Sequence, residues 1–411
     1  MKHEYAARAP SGATLAGASL PGASLPGTSL GGWAISIRQG GFVILPLLAV
    51  FVLYSAFHYY HMLLPGDFVA LWSYGQFLAG HPAAGLYDAA GLDAFQVGLG
   101  MDTTRPFPFP YPPTFLLLIW PFGLVTPHQA FAAWFGVTVA AFVWAASGPR
   151  FGALHVLALL AAPATTMGVA AGQTGFLSGA LLIGGMRLIE TRPWLGGLLL
   201  GVLTYKPQMG LLVPVALVSA RAWPGIGAAA CATVLSGLLA TAVFGGSLWW
   251  DWLSSLAAYS AWFDAQTPLL TLKPTITANL ALLGVPHGAW ALQVLAGGAM
   301  AALVWQAFRR GVSLAGIGVL VAATALANPH EFYYDLPMLT AAVLFIGAAR
   351  LGAGRPLQWW ETILLAAVLC LPLMMFWTAL LGTPAPVSLP ILLAFAAWAA
   401  WQVRLGMAGR E

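Results

Sequence analysis

The sequence predicts an all-α polytopic membrane protein, a bundle of about twelve transmembrane helices with juxtamembrane helices on its outer face. Three observations carry that reading. Apolar residues fill 60% of the 411 positions and charged residues only 7%, against roughly 45–50% and 25% in a soluble domain. Long apolar runs recur at short intervals from about residue 41 to the C-terminus, many of them close to the roughly 20 residues that a spanning helix needs. The 18 tryptophans and 22 phenylalanines supply anchors for many helix ends at the two membrane interfaces.

Residues 1–40 include the imperfect repeat GASLPGASLPGTSLGG. Small residues, Ser and Pro cannot bury enough apolar area to fold, so this segment is expected to be disordered. The run 41–63 exceeds a signal-peptide h-region and reads as an uncleaved first span. Lys2, Arg8 and Arg38 precede it and place the N-terminus in the cytoplasm. A long first outer loop, 66–127, follows. Within it the apolar stretch from Pro113 to about Val125 is short and broken by Pro121, and it is expected to dip into the outer leaflet without crossing. Further spans are expected at 128–147, 152–168, 174–188, 194–205, 208–220, 224–244, 287–307, 312–327, 336–349, 360–381 and 388–403. The segments 194–205 and 208–220 are the shortest of these. A cytoplasmic tail, 404–411, closes the chain. Cys231 and Cys370 both fall inside apolar runs and read as small core residues without a disulfide framework.

This register sorts the charges. Arg150, Arg187, Arg192, Arg221, Arg309, Arg310, Arg350, Arg355, Arg404 and Arg410 face the cytoplasm, as the positive-inside rule requires. Asp67, Asp88, Asp93, Asp102, Asp251, Asp264, Glu331 and Asp335 face outward, with only Arg105, Lys206 and Lys273 as basic companions. Three cations in an acidic outer rim point to a specific anion, whereas the cytoplasmic arginines simply orient the chain. The protein is thus expected in the cytoplasmic membrane with both termini inside and its polar chemistry on the periplasmic or exterior face.

Several function classes are excluded. The chain has no DxD, HExxH, CxxC or phosphate-cradling glycine loop, which disfavours a cytosolic nucleotide-sugar donor. His58 and His61 stand three apart shortly before Asp67, but no further ligand follows at metal-binding spacing. No metal and no cofactor are expected. The basic residues are scattered along one membrane face and form no nucleic-acid patch.

The polar segments carry a resemblance. In order they read GDFVALWSYGQFLAGHPAAGLYD from Gly66, YPPTFLLLIWPFGLV from Tyr111, AAGQTGFLSGALLIGG from Ala170, RPWLGGLLLGVLTYKPQMGLLVP from Arg192 and ANPHEFYYDLPML from Ala327. Together they resemble glycosyltransferase family 87 of the GT-C superfamily, which includes polyprenol-phosphate-mannose-dependent mannosyltransferases. The resemblance spans about residues 60–340. It implies a GT-C-like transmembrane domain, here 41–403, with its active site on the outer face. The implied donor is a sugar, mannose foremost, on a polyprenyl phosphate, and the implied acceptor a glycolipid or lipid-linked glycan. It also implies inversion, with an acidic residue of the first outer loop as general base; here that is Asp67. The late segment departs from the family's Ser-Pro-His-Ser-Trp run, reading Asn328-Pro329-His330-Glu331-Phe332-Tyr333-Tyr334-Asp335, which leaves the acceptor open.

Each candidate residue has a plainer reading beside the functional one. Asp67 after Pro65-Gly66 is equally a helix start signal. The residues after it, Phe68, Val69, Leu71, Trp72, Phe77 and Leu78, suggest an amphipathic helix in the interface. Lys206, between Tyr205 and Pro207, either binds the donor phosphate or snorkels to headgroups. Arg105, Lys273 and His330 are further phosphate candidates, with Glu331 or Asp335 placed to orient His330. Gln173 and Gln208, with Tyr111, Asn279, Tyr333 and Tyr334, make up the candidate substrate contacts; for Gln173 an interhelical hydrogen bond is an equal reading. Trp249, Trp250, Trp252 and Trp262 form either a sugar platform or an interfacial belt. A lipid-carrier transporter or flippase is the alternative class, although ionisable residues gathered on one face and the absence of a visible inverted repeat weigh against it. A non-catalytic assembly subunit is a third reading.

Overall fold

The computed structural model describes residues 66–101, 107–147, 152–265 and 267–406. The expected disordered segment and first span, with His58 and His61, lie outside them, as do Arg105, Arg150 and the last five residues. Among the described residues the chain is 78% helix without strands.

Two helices fill the first loop, α1 (Gly66–Gly80) and α2 (Ala89–Gly98). A broken piece follows, made of 3-10 turns at Pro113–Phe115 and Trp120–Leu124 around the single turn Leu116–Ile119. The bundle proper comprises α3 (Pro127–Ala146), α4 (Ala153–Ala161), α5 (Pro163–Ala171), α6 (Gly175–Leu188), α7 (Pro193–Val202) and α8 (Val213–Ser219). It continues with α9 (Trp223–Phe244), α10 (Leu248–Asp264), α11 (Ile276–Leu282), α12 (Ala289–Phe308), α13 (Leu314–Ala327), α14 (Pro337–Gly352), α15 (Trp359–Leu380) and α16 (Ser388–Arg404).

Proline sets many of the boundaries. Pro127, Pro163, Pro193 and Pro337 each sit in the first turn of their helix, where the missing N–H costs nothing. Pro163 also divides the span expected at 152–168. Ala162 before it is extended at φ −62°, ψ 138°, because the proline ring disfavours helical backbone at the preceding residue.

Among the described residues four helices, α3, α9, α12 and α15, are long and apolar enough to cross a membrane, and six shorter apolar segments accompany them. About twelve full crossings are therefore not what the described residues display. A ten-residue helix such as α7 rises only about 15 Å, half the roughly 30 Å hydrocarbon core. Such pieces are tolerated where protein covers their ends.

The long α9 is mostly exposed, with Val234, Leu235, Leu238 and Leu239 turned outward, the surface that hydrocarbon solvates without cost. Its buried stripe is small. A Cβ on Gly197 would lie 2.4 Å from the Ala228 Cβ, and one on Gly201 2.4 Å from that of Ala232. The Gly197–Gly201 spacing thus lets α7 and α9 touch backbone to backbone. At the centre stands α13, buried from Ala315 to Ala327, as expected of a helix apolar all round.

The expected interfacial helix forms as α1, but it is a core element and does not lie free on the interface. Phe68, Ala70, Leu71, Ser73, Tyr74 and Phe77 are all buried. The reason is a close approach: a Cβ on Gly123 would sit 2.0 Å from the Gly75 carbonyl carbon, so α1 packs directly on 120–124. The Trp72 indole adds a 3.0 Å hydrogen bond to the Val125 carbonyl.

The two ends of the bundle differ chemically. At one end Tyr205 donates to the Thr174 carbonyl at 3.3 Å, joining the α5–α6 and α7–α8 connections. At the other, the Arg187 guanidinium caps the carbonyls of Trp144, Ala145 and Ser147, the orphan acceptors at the end of α3. There too the Val312 N–H donates to Glu190 at 2.8 Å. Arg350 was expected only to orient the chain. It is instead buried, bound to Glu361 at 2.8 Å and to Gln402 at 3.2 Å, while the Trp398 indole donates to Glu361 at 2.7 Å. That network ties α14, α15 and α16 together.

Candidate active site

The polar end is built around α1. Asp67 stands in its first turn, where the helix dipole favours a carboxylate, and it is half-buried. Its charge reaches phenols from three parts of the chain. Burial, then Tyr259, then Asp67 push the Tyr74 phenol up; burial and then Asp67 do the same to Tyr259. Tyr334 is raised by burial, by Tyr111 and Asp335, and then by Tyr259 and Asp67. Tyr111, raised chiefly by burial, feels Tyr205, Tyr74 and Tyr259. Three neutral phenols, from α1, α10 and the loop before α14, therefore surround one aspartate, and Tyr111 of the 107–112 stretch joins them through Tyr74 and Tyr259.

Hydrogen bonds from Tyr74, Tyr87, Tyr111 and Trp252 fasten this region together. The Tyr74 hydroxyl donates to the carbonyls of Phe107 (3.1 Å) and Pro108 (3.0 Å), and Tyr87 donates to Tyr111 O at 2.9 Å. The Trp252 indole donates to Pro110 O at 3.1 Å. Tyr111 stacks on Phe115 with ring centroids 4.1 Å apart and donates to Gln173 at 3.3 Å.

Behind this rim lies a sealed charge cluster. Lys206 occupies the break between the 3-10 turns Leu203–Tyr205 and Pro207–Gly210, where Pro207 interrupts the helical ladder. Lys206 was expected to face outward and take the donor phosphate. It is 4% exposed, and its ammonium donates to Asp335 Oδ1 at 2.5 Å and to Thr174 Oγ1 at 3.4 Å. It also lies 5.2 Å from the centre of the Tyr334 ring. Asp335 is fully buried, and its second oxygen accepts from the Phe332 N–H at 3.3 Å. Burial raises its pKa, opposed by Lys206 and then by the Phe332 N–H.

Glu331 is the third member. It too is fully buried, and neither carboxylate oxygen makes a hydrogen bond of normal geometry, although Asn328 lies close enough to favour its ionised form. Burial and the nearby Asp335 charge push it up to about 8, against Lys206 and Asn328. A buried carboxylate without a hydrogen bond takes a proton rather than stay charged. The loop bearing these acids is pressed against the start of α6: a Cβ on Gly175 would lie 1.9 Å from the Tyr334 carbonyl oxygen.

The remaining candidates divide. Lys273 is buried beside the same loop, since the Tyr333 N–H donates to the Leu272 carbonyl at 3.0 Å, and its ammonium is 6.0 Å from the Phe263 ring centre. Tyr333 and Gln208 are half-buried. The His330 ring faces Trp290 at 6.2 Å, and its backbone N–H donates to Asn328 Oδ1 at 2.9 Å. Of the two acids named as its orienting partners, Asp335 holds Lys206. Asn279 stands apart. Its amide bonds Thr275 O at 2.7 Å and Ser388 Oγ at 2.9 Å, tying α11 to α16. Of the tryptophans, Trp250 is exposed and Trp249 bonds Thr241 Oγ1 at 2.8 Å. Lateral grooves of about 320 and 440 Å³ lie elsewhere, along α12 and α15–α16.

A helical membrane bundle that gathers an accessible carboxylate, a ring of neutral phenols and a neutralised charge cluster at one end has the parts of a group-transfer enzyme acting on hydroxyl-rich substrates. Residues 109–329 match the family model for glycosyltransferase family 87, and the chain belongs to that family. It is a glycosyltransferase. The matched stretch takes in Tyr111, Gln173, Lys206, Tyr259 and Lys273; Asp67 and Tyr74 precede it, and Glu331, Tyr334 and Asp335 follow it. Among curated proteins and among solved structures nothing matches the chain.

Proposed function

We propose that the protein transfers a hexose, mannose first among candidates, from a polyprenyl-phosphate donor to an acceptor hydroxyl at the outer face of the cytoplasmic membrane, with inversion. The acceptor is a glycolipid or lipid-linked glycan. One observation carries the choice of base. Of the three acids tied to the phenols and the Lys206 cluster, Glu331 and Asp335 are buried, whereas Asp67 is half-buried and can meet a substrate. Asp67 takes the acceptor proton as the hydroxyl oxygen attacks the anomeric carbon and the bond to the donor phosphate breaks. The phenols of Tyr74, Tyr111, Tyr259 and Tyr334 stay neutral and offer hydrogen bonds to sugar hydroxyls. The departing phosphate needs cations. Lys273, Arg105 and His330 are the candidates for that task, and Lys206, paired with Asp335, fixes the loop that presents Tyr334.

The test is transfer of radiolabel from polyprenyl-phosphate-mannose, and in parallel from the glucosyl and arabinosyl donors, to total membrane lipid in proteoliposomes. Wild type should label a lipid product. Asp67→Asn should elute as a folded protein and lose at least about a hundredfold in rate. Full transfer by Asp67→Asn would remove it from the base role. Absence of transfer from every donor by folded wild type, with acceptor-bearing membranes supplied, would overturn the polyprenyl-phosphate reading.

A further inference from the structure

We infer that the arginine end of the bundle carries a binding site for one anionic phospholipid, in a groove between α12 and α16. The groove holds about 320 Å³ and is floored by small side chains, Ala299, Ala302, Ala396, Ala397 and Ala400. Its far end is marked by Leu326 and Leu393, and its near end by Gln306 and Arg404. From Leu393 to Arg404 the helix climbs about 16 Å, close to the depth of one leaflet of hydrocarbon. The walls suit an acyl chain. α12 is long and apolar enough to span a membrane, and its Trp290, Leu292, Val294, Leu295 and Trp305 are exposed, so the groove opens towards lipid.

The charges at the near end select the headgroup. Arg404 is exposed where α16 ends, and Arg309 is exposed just past the end of α12, one turn beyond Gln306. A phosphate at the mouth meets the Arg404 guanidinium, which grips phosphate oxygens in a fork, and an amide donor from Gln306, with the exposed Arg309 one turn further on to add to the positive field. A zwitterionic lipid brings its own cation into that field and gains less. The site lies at the opposite end of the bundle from Asp67, so it is separate from the transfer site.

The experiment is native mass spectrometry of the full-length protein, delipidated in mild detergent and titrated with phosphatidylglycerol or phosphatidylcholine. Phosphatidylglycerol should bind saturably at one per chain and more tightly than phosphatidylcholine. Arg404→Gln and Arg309→Gln should each weaken it about fivefold. Ala397→Phe should exclude the chain without touching a charge, and because Ala397 is exposed it leaves the packed core intact. Equal affinity for the two lipids, or affinity unchanged in these variants, would make this ordinary annular lipid and overturn the inference. Polyprenyl phosphate displacing phosphatidylglycerol at equal or lower concentration would overturn it as well, since the groove would then hold a donor-type lipid.

Discussion

Removing one partner of the Lys206–Asp335 pair should cost far more than removing both. At 2.5 Å and an effective dielectric constant of ~20, the attraction is about 6–7 kcal/mol. Each ion has given up several kcal/mol of hydration to enter the interior, so the intact pair is close to break-even. Lys206→Met leaves Asp335 sealed without its cation, and Asp335→Asn leaves a sealed ammonium. Each should lower stability by about 3–5 kcal/mol. The double variant Lys206→Met/Asp335→Asn removes both charges and should recover most of that loss, giving a coupling of about 3 kcal/mol. The singles should also differ in pH response. The Asp335 pKa is raised by burial, so in Lys206→Met acidification lets it take a proton and regain stability, whereas Asp335→Asn has no such relief. Equilibrium unfolding by dodecyl sulfate titration in mixed micelles, followed by fluorescence of the 18 tryptophans, measures all four proteins. Additivity within about 0.5 kcal/mol, or single variants indistinguishable from wild type, would refute the reasoning.

Two further predictions follow from the same loop. Glu331 is raised from 4.5 to about 8, so folding favours its protonated form. Its contribution is fully present below about pH 4.5 and is lost as pH rises towards and through about 8, a change of a few kcal/mol. Glu331→Gln should flatten that decline in the same unfolding titration, and an unchanged pH profile would count against a sealed acid. Gly175→Ala forces a methyl into the Tyr334 carbonyl; it should cost about 1–3 kcal/mol and lower transfer by displacing Tyr334. Wild-type rate and stability in that variant would show the loop to be free of α6.

Much of the helix pattern was legible because apolar runs bounded by proline leave little choice. The expected spans at 128–147, 224–244 and 287–307 differ from α3, α9 and α12 by a residue or two. The sequence reading runs one span through 152–168, whereas Pro163, eleven residues in, removes a ladder bond and divides it. What composition hides is length in the membrane: a ten-residue apolar helix and a twenty-residue one look alike when a loop residue or two is apolar, so the crossing count did not follow. The separation of charge between the two ends of the bundle fared differently. Arg187, Arg309, Arg350 and Arg404 end helices at the end of the bundle opposite Asp67, because alternation of antiparallel helices converts a sequence pattern into a spatial one.

The site was legible in its residue types and illegible in its pairings. Tyr74 lies seven residues after Asp67, two helical turns on and so on the same face; that signal was there to be used. Lys206 stood out as a cation beside hydrocarbon, but its partner Asp335 is 129 residues away, and a single sequence holds no trace of that distance. Tyr259 carries no local mark at all. Asn279 shows the same limit: a buried amide in an apolar setting has to hydrogen-bond something, and its contact with Ser388 depends on where α16 begins.

The arrangement of charge follows from what the proposed donor demands. A polyprenyl-phosphate sugar is an anion, and a site with three bare carboxylates would repel it. Here Asp335 is cancelled by Lys206, and Glu331, pushed up to about 8, is cancelled by a proton below that pH. The surrounding phenols stay neutral because burial and the nearby charges both oppose their ionisation. The acid left to act on substrate is Asp67, in the first turn of a helix whose dipole supports its charge. On this reading the sealed cluster sets the field in which the base works, and the fold spends a buried lysine, one of few in a chain that is only 7% charged, on an acid rather than on the phosphate. Transfer should therefore fall in Asp335→Asn even in lipid conditions where the protein stays folded: the uncancelled ammonium is released from the loop, and Tyr334 with it.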